Sequence, residues 1–104
     1  MSTLFTVPSS VPVAKTETIP ISVDFSNLIL TGDTLASPAS ALHDQDGNAV
    51  ILADPPVLNA DNISVQQIVR GSALSAGKTY RLDVTGTLNA HKTVTASVNV
   101  WCPY

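Results

Sequence analysis

The chain has 104 residues, a formal net charge of −3 and only 12% charged residues, so we expect a single domain near the modal domain size. Its five basic residues, Lys15, Arg70, Lys78, Arg81 and Lys92, are scattered along the sequence, which argues against nucleic-acid binding. The longest apolar runs are far shorter than the roughly 20 residues that span a bilayer, which argues against a membrane protein.

The composition favours an all-β fold. Twelve Val and eleven Thr occur with seven Pro, five Gly and a single Glu, and β-branched residues suit strands better than helices. Cys102 is the only cysteine, so no internal disulfide closes and the hydrophobic core alone must hold the fold. The first ten residues lack the basic and apolar regions of a secretion signal, so we expect assembly in the cytoplasm.

Residues 1–15 are predicted to form an extended N-terminal arm, with the globular domain over residues 16–104. Pro8 and Pro12 disfavour a helix or a central strand, but they permit an arm or an edge strand. We expect the arm to dock on a neighbouring molecule.

The first core strand is predicted over residues 16–25, where Ile19, Ile21, Val23 and Phe25 alternate with other residues. Pro20 falls on the opposite face and favours an edge position for this strand, because proline cannot donate to a sheet ladder.

The middle of the chain reads as short strands and turns. A turn ends near Pro38, a short strand follows over residues 40–43, and residues 44–47 form a hairpin turn in which Gly47 supplies a positive φ. A returning strand is predicted over residues 48–53. In the segment 62–70 the apolar pattern changes phase, and this predicts a bulge at Gln66 and Gln67 that keeps the core face filled.

The segment from Leu74 to Val100 is predicted to form two long antiparallel strands joined by a polar turn, each with one apolar and one polar face. Leu74, Gly77 and Tyr80 have the spacing of the tyrosine corner of immunoglobulin-like sandwiches; the alternative is a plain glycine turn before a half-buried tyrosine. Together these elements predict an immunoglobulin-like antiparallel β-sandwich of about seven strands.

The sequence carries no pattern typical of catalysis or metal binding. Asp44 and Asp46 begin like a calcium loop, but the glycine stands at the fourth position instead of the sixth, and Pro55 replaces the glutamate at the twelfth. A turn is predicted instead. His43 and His91 lack metal-ligand spacing, and Glu17 has no neighbouring carboxylate. We therefore expect no enzyme, no cofactor and no metal.

The last four residues, Trp101-Cys102-Pro103-Tyr104, allow two interpretations. Trp101 caps the core of the sandwich, or Trp101 and Tyr104 anchor a partner as aromatic residues do at interface hot spots. We expect much of the contact with partners to fall within residues 2–14 and 101–104. The candidate contact residues are Leu4, Phe5, Val7, Pro8, Val11, Pro12, Trp101 and Tyr104.

Several segments resemble a group of short immunoglobulin-like virion proteins of tailed phages, often described as fibre-tail adaptors. They are Val23-Asp24-Phe25, the Leu28–Leu30 run with Gly32-Asp33-Thr34-Leu35-Ala36-Ser37, and Gly71 to Val100. The resemblance covers roughly residues 19–100. It implies a non-enzymatic structural protein, present in several copies at the tail or neck where fibres attach, or decorating the capsid. Its implied partners are other virion proteins and copies of itself, with neither nucleic acid nor membrane.

A second class of function is a carbohydrate or cell-surface binding module, since sandwich loops often carry such sites. Sugar sites usually present exposed aromatic rings, and the prediction places Tyr80 and Phe25 in the core, which leaves few rings for this role. An enzyme comes third, because His, Cys and Glu residues are not clustered in the sequence.

Overall fold

The computed structural model describes residues 10–25, 34–60, 63–88 and 92–104, and within them almost all regular structure is strand. A short 3-10 turn, Gly71–Ala73, is the one helical element there. The strands are β1 (Ser10–Pro12), β2 (Thr18–Asp24), β3 (Leu35–Asp44), β4 (Ala49–Val50), β5 (Val57–Leu58), β6 (Ser64–Arg70), β7 (Thr79–Leu88) and β8 (Lys92–Trp101).

The strands form two sheets. The five-stranded sheet has the order β1-β8-β7-β3-β4, and the three-stranded sheet has the order β2-β6-β5. All neighbouring strands are antiparallel except β1 and β8, which run parallel. The orders β8-β7-β3 and β2-β6-β5 match the G–F–C and B–E–D strands of immunoglobulin-like sandwiches. The predicted all-β sandwich is confirmed, with eight strands in the described residues rather than about seven.

The core lies between the sheets and follows the predicted alternation. On β7 and β8 the inward residues are almost completely buried: Tyr80, Leu82, Val84, Val94, Ala96, Val98 and Val100. On β2 the residues Ile21 and Val23 are buried, as is Phe25 just after it, and Ile19 packs against the core while partly exposed. Among the described strands, β2 lies at the end of its sheet's order, in agreement with the edge position that Pro20 predicted.

Strand β3 is longer than predicted. It begins at Leu35, so Pro38 lies inside the strand rather than at the end of a turn. The register with β7 shifts between Ala36 and Ala39, and Ser37 adopts a positive φ of 51°. A β-bulge of this kind accommodates a proline within a ladder, because the bulged residues do not need to donate to the neighbouring strand.

Strand β6 lacks the predicted bulge. Its register with β2 is continuous from the Thr18–Arg70 pair to the Asp24–Ser64 pair, so that prediction is wrong. The strand keeps its phase and places the polar residue Gln67 in the core, fully buried. The side chain is accommodated there because Nε2 donates to the backbone oxygens of Asp54, at 2.8 Å, and Ile68, at 2.9 Å.

The tyrosine corner is present where the chain crosses from β6 in one sheet to β7 in the other. The backbone N–H of Ser75 donates to the hydroxyl oxygen of Tyr80 at 2.7 Å, and Tyr80 is only 5% exposed. This bond confirms the corner and excludes the alternative of a half-buried tyrosine after a plain turn.

The predicted arm is described from Ser10 onward, and its first nine residues lie outside the described residues. From Ser10 to Pro12 the chain forms the edge strand β1 beside β8. Val13 and Ala14 are buried, and Val13 belongs to the core cluster. The part of the segment that the structure describes is therefore integrated into the sandwich.

The predicted hairpin turn after β3 is present, but the returning strand β4 has only two residues. Gly47 has a φ of 87°, and Oδ1 of Asp44 accepts the backbone N–H groups of Asp46 and Asn48, both at 2.9 Å. These hydrogen bonds, above all the one from the Asn48 backbone, hold the pKa of Asp44 below its ordinary value. Asp44 therefore acts as a turn former, as predicted.

Acidification is expected to remove the contribution of Asp44 to stability. Because its pKa is lower in the folded state, that contribution is complete above the ordinary aspartate pKa of about 3.9 and disappears as the pH falls through the folded value. The difference in Tm between the native chain and Asp44→Asn should therefore narrow as the pH falls. Asp46→Asn controls for removing a charge from the same turn. A difference that stays constant with pH would contradict the prediction.

Candidate interaction surface

The two segments predicted to contact partners meet at one edge of the five-stranded sheet. The parallel pairing of β1 with β8 places Pro12 opposite Trp101. The N–H of Val13 donates to the backbone oxygen of Trp101 at 2.9 Å, and the N–H of Lys15 donates to that of Tyr104 at 2.8 Å. We call residues 10–15 and 101–104 the terminal surface.

The candidate residues on the terminal surface differ in exposure. Trp101 is 42% exposed and Tyr104 is 76% exposed, Pro12 is exposed, and Val11 is half-buried against the core. Trp101 projects from the outer face of β8, since its neighbours Val100 and Cys102 are buried. It does not cap the core, so the first interpretation of this residue is wrong. The remaining candidates, Leu4, Phe5, Val7 and Pro8, lie outside the described residues.

Backbone hydrogen bonds hold the C-terminal part of the terminal surface in place. The N–H of Cys102 donates to the oxygen of Lys78 at 3.0 Å, and the N–H of Gly77 donates to the oxygen of Cys102 at 2.7 Å. The free thiol of Cys102 is fully buried. The exposed rings of Trp101 and Tyr104 are thus attached to a constrained backbone. Less conformational entropy is therefore lost when a partner binds them.

Positive charge lies in and next to the terminal surface, in a chain that is acidic overall. Lys15 and Lys78 are exposed, and their backbone groups bond directly to Tyr104 and Cys102. Two aromatic rings, a proline and two lysines therefore share one edge of the molecule. Tyr and Trp are enriched among interface hot spots, so the composition suits a contact with another protein.

A polar hollow of about 510 Å³ lies at the ends of β3 and β7. Its lining residues are His43, Asp44, Gln45, Gly47, Thr79, Tyr80, Arg81 and Asn99. Thr79 pairs with Trp101 in the sheet register, and Oε1 of Gln45 accepts the N–H of Thr79 at 3.1 Å. The buried Nδ1 of His43 has no hydrogen-bond partner among the described residues.

The outer face of β7 and β8 next to this hollow is polar and internally bonded. Asp83 accepts a hydrogen bond from the hydroxyl of Ser97 at 2.6 Å and forms an ion pair with Nε of Arg81 at 3.2 Å. The hydroxyls of Thr85 and Thr95 lie 3.2 Å apart. Cross-strand polar pairs of this type stabilise the sheet, and they leave the apolar character of this face to Trp101.

Sequence reasoning missed a second hollow, beside β3 and the segment 50–56, which we call the lateral hollow. It has a volume of about 420 Å³. Its lining residues are Ser40, Ala41, Leu42, Val50, Leu52, Ala53, Asp54, Pro55, Pro56 and Gln67. The signal that could have revealed it is the uninterrupted alternation of Val65, Gln67 and Val69 along β6.

The described residues form neither a metal-binding cluster nor a membrane-spanning helix. Across the described ranges, no group of three or more His, Cys, Asp and Glu residues is placed to hold a metal ion. None of the described helical structure is long and apolar enough to cross a membrane. Compared with known proteins, the chain matches no family model, and the search of curated proteins finds no match.

Proposed function

We propose that the chain is a non-enzymatic structural protein of a tailed-phage particle, an immunoglobulin-like module that docks in several copies at the tail or neck as a fibre adaptor. It would be assembled in the host cytoplasm and reside in the virion. Its partners would be tail, neck, fibre or major capsid proteins and copies of itself.

The observation that carries the proposal is the proximity of the exposed residues Pro12, Trp101 and Tyr104 at the β1 end of the five-stranded sheet. A small sandwich with such an edge suits docking on a larger assembly, where repeated copies turn weak contacts into avidity. The resemblance of residues 19–100 to short phage virion proteins supports a phage particle as the assembly on which the module docks. Capsid decoration is the alternative location, since it would use the same fold and a similar surface.

Copy number in purified particles tests the proposal. Quantitative mass spectrometry would count the chain against the portal and major capsid proteins. A count of roughly six to a few dozen is expected for a neck or fibre adaptor with closed symmetry, and hundreds of copies would indicate capsid decoration. Absence of the chain from particles would overturn the virion proposal altogether.

Replacing both Trp101 and Tyr104 with serine is expected to reduce the number of copies per particle at least about tenfold, because exposed aromatic anchors dominate interface energy. Lys92→Ser, at the other end of β8, is the matched control and should load normally. Val13 and Ala14 are buried, so a truncation test of the N-terminal segment should remove only residues 2–9. Normal loading of both the double variant and this truncation would exclude these segments as the docking surface.

A second candidate function, glycan binding, is favoured by one specific feature. The polar hollow is lined by Arg81, Gln45 and Asn99. Trp101, which is 42% exposed, pairs in the sheet with Thr79, another lining residue. Polar side chains beside an aromatic ring suit a hydroxyl-rich ligand. A glycan array would test it, with Asn99→Ala as a variant that leaves Trp101 intact. An array without hits for the native chain would retire this function.

A further inference from the structure

Two residues that line the lateral hollow, Ser40 and Gln67, each carry a buried side-chain oxygen without a hydrogen-bond partner among the described residues, Ser40 Oγ and Gln67 Oε1. Gln67 is fully buried, on a strand where apolar residues would otherwise face the core. A buried acceptor without a partner costs free energy of folding. Packing alone therefore does not explain why these two oxygen atoms are present.

The orientation of the Gln67 amide is determined by its surroundings. Nε2 donates to the backbone oxygens of Asp54 and Ile68, at 2.8 and 2.9 Å. A flipped amide would set its oxygen against two carbonyl oxygens, which is unfavourable. The unpartnered atom is therefore an acceptor, and a ligand in the hollow must bring a donor.

The charge of the lateral hollow indicates that this donor is neutral. Its one ionisable lining residue, Asp54, is already paired with Arg70, whose Nε and Nη2 donate to the two carboxylate oxygens at 2.7 and 3.0 Å. The rest of the lining is apolar apart from Ser40 and Gln67. A lysine or arginine of a partner would lose its hydration there without gaining a counter-charge.

The surroundings of the lateral hollow indicate that its occupant belongs to a protein. Ile51 is 86% exposed and Val57 is 54% exposed, and both lie in the segment of chain that borders the hollow. Strands β4 and β5 are each the last of their sheet's order, so no described strand covers this side of the sandwich. Large exposed apolar side chains around a pocket are typical of a protein docking surface.

We propose that the lateral hollow is a docking site for a tyrosine side chain of a partner protein. The ring would pack between the apolar side chains of Val50, Leu52 and Pro56. Because Gln67 Oε1 and Ser40 Oγ have almost no solvent-accessible surface in the free chain, the lining side chains would have to separate on binding. The phenol hydroxyl would then donate to Gln67 Oε1, and Ser40 Oγ would contribute a second bond. Tyrosine combines an apolar body with a neutral donor at its far end. The site does not depend on the proposed virion function.

Titration of the full chain with N-acetyltyrosinamide, followed by NMR, tests the site. We expect shifts of the Ser40 and Leu52 amides and of the Gln67 side-chain amide. N-acetylphenylalaninamide, which lacks only the hydroxyl, should bind about tenfold more weakly, because the buried acceptor stays unpaired. Ser40→Ala should weaken tyrosine binding about threefold by removing one polar partner, and Ser72→Ala, at an exposed position elsewhere, should leave it unchanged.

Three results would overturn the proposal. Equal binding of the two amides would show an apolar pocket that does not use its acceptors. No shifts at the lining residues up to the solubility limit of the probe would show that a tyrosine does not enter. Binding of p-cresol without binding of N-acetyltyrosinamide would show that the mouth excludes a peptide backbone, and the occupant would then be a small phenol rather than a protein.

Discussion

Replacing Gly71 with alanine is expected to destabilise the protein by about 3 kcal/mol or more, beyond the usual cost of overpacking. A Cβ at this position would overlap the backbone oxygen of Ala14 and lie 2.7 Å from its carbonyl carbon and 2.8 Å from Cα of Lys15. All three are backbone atoms, so no side-chain rotation relieves the clash.

The turn that would have to move is itself anchored. The N–H of Gly71 donates to the oxygen of Glu17 at 2.8 Å, and Oε1 of Glu17 accepts the N–H of Ala14 at 2.8 Å. Shifting the backbone at Ala14 and Lys15 would break these bonds and displace β1, which ends at Pro12. The single Glu of the chain therefore has a structural role in this turn.

Urea denaturation of three variants would measure the effect. Gly47→Ala controls for backbone conformation, since Gly47 has a φ of 87° but no atom lies within 4 Å of an added Cβ. It should cost about 1–2 kcal/mol, from the left-handed φ alone. Ser72→Ala, exposed and adjacent to the site, should stay within about 0.5 kcal/mol of the native chain. If Gly71→Ala were as stable as Ser72→Ala, the packing of Gly71 on the Ala14 turn would be refuted.

The period-two patterns of the sequence were sufficient to predict most of the fold. Along β7 and β8 a one-residue slip would expose every apolar side chain, so alternation determines both the strands and the faces they bury. The tyrosine corner and the Asp44 turn were also predictable, because each depends on residues close together in sequence. Interactions between residues close in sequence can therefore be predicted from the sequence.

The errors arose where the determining contact is distant in sequence. The prediction of a bulge at Gln66 and Gln67 assumed that a polar residue avoids the core. In the structure, the amide nitrogen of Gln67 donates to the backbone oxygen of Asp54, in a loop that does not belong to the same strand. Strand β5 has only two residues, too few for a periodic pattern. The pairing of Pro12 with Trp101 joins the two ends of the described chain, and no local pattern encodes it.

The two surfaces lie at opposite edges of the five-stranded sheet. The terminal surface lies on β1 and β8 at one end of the strand order, and the lateral hollow borders β4 at the other end. Contacts at two different edges are heterologous, so a module that uses both can bridge two unlike neighbours. An adaptor requires this geometry. Because the two surfaces are separate, substitutions in one can test the proposed function and substitutions in the other can test the proposed tyrosine site independently.

Replacing Tyr80 with phenylalanine is expected to cost about 1–3 kcal/mol, because the N–H of Ser75 loses its acceptor in a partly buried position. The substitution keeps the aromatic ring, so the loss of stability measures the contribution of the hydroxyl alone. The corner also sets the position of Gly77 and Lys78, which bond to Cys102 from both sides. Amide exchange at Gly77 and Cys102 should therefore accelerate by more than the global loss of stability explains.

The matched control is Tyr104→Phe, which removes a hydroxyl from a ring that is 76% exposed and should change stability by less than about 0.5 kcal/mol. Equal stability of the two variants would mean that solvent replaces the lost acceptor at Ser75 without cost. Faster amide exchange at Cys102 in Tyr80→Phe, but not in Tyr104→Phe, would instead show that the tyrosine corner stabilises the backbone of the terminal surface. Under the proposed function, Tyr80→Phe should then also reduce the number of copies per particle, although residues 101–104 are unchanged. The reason is that Trp101 and Tyr104, the proposed contact residues, would be attached to a less constrained backbone.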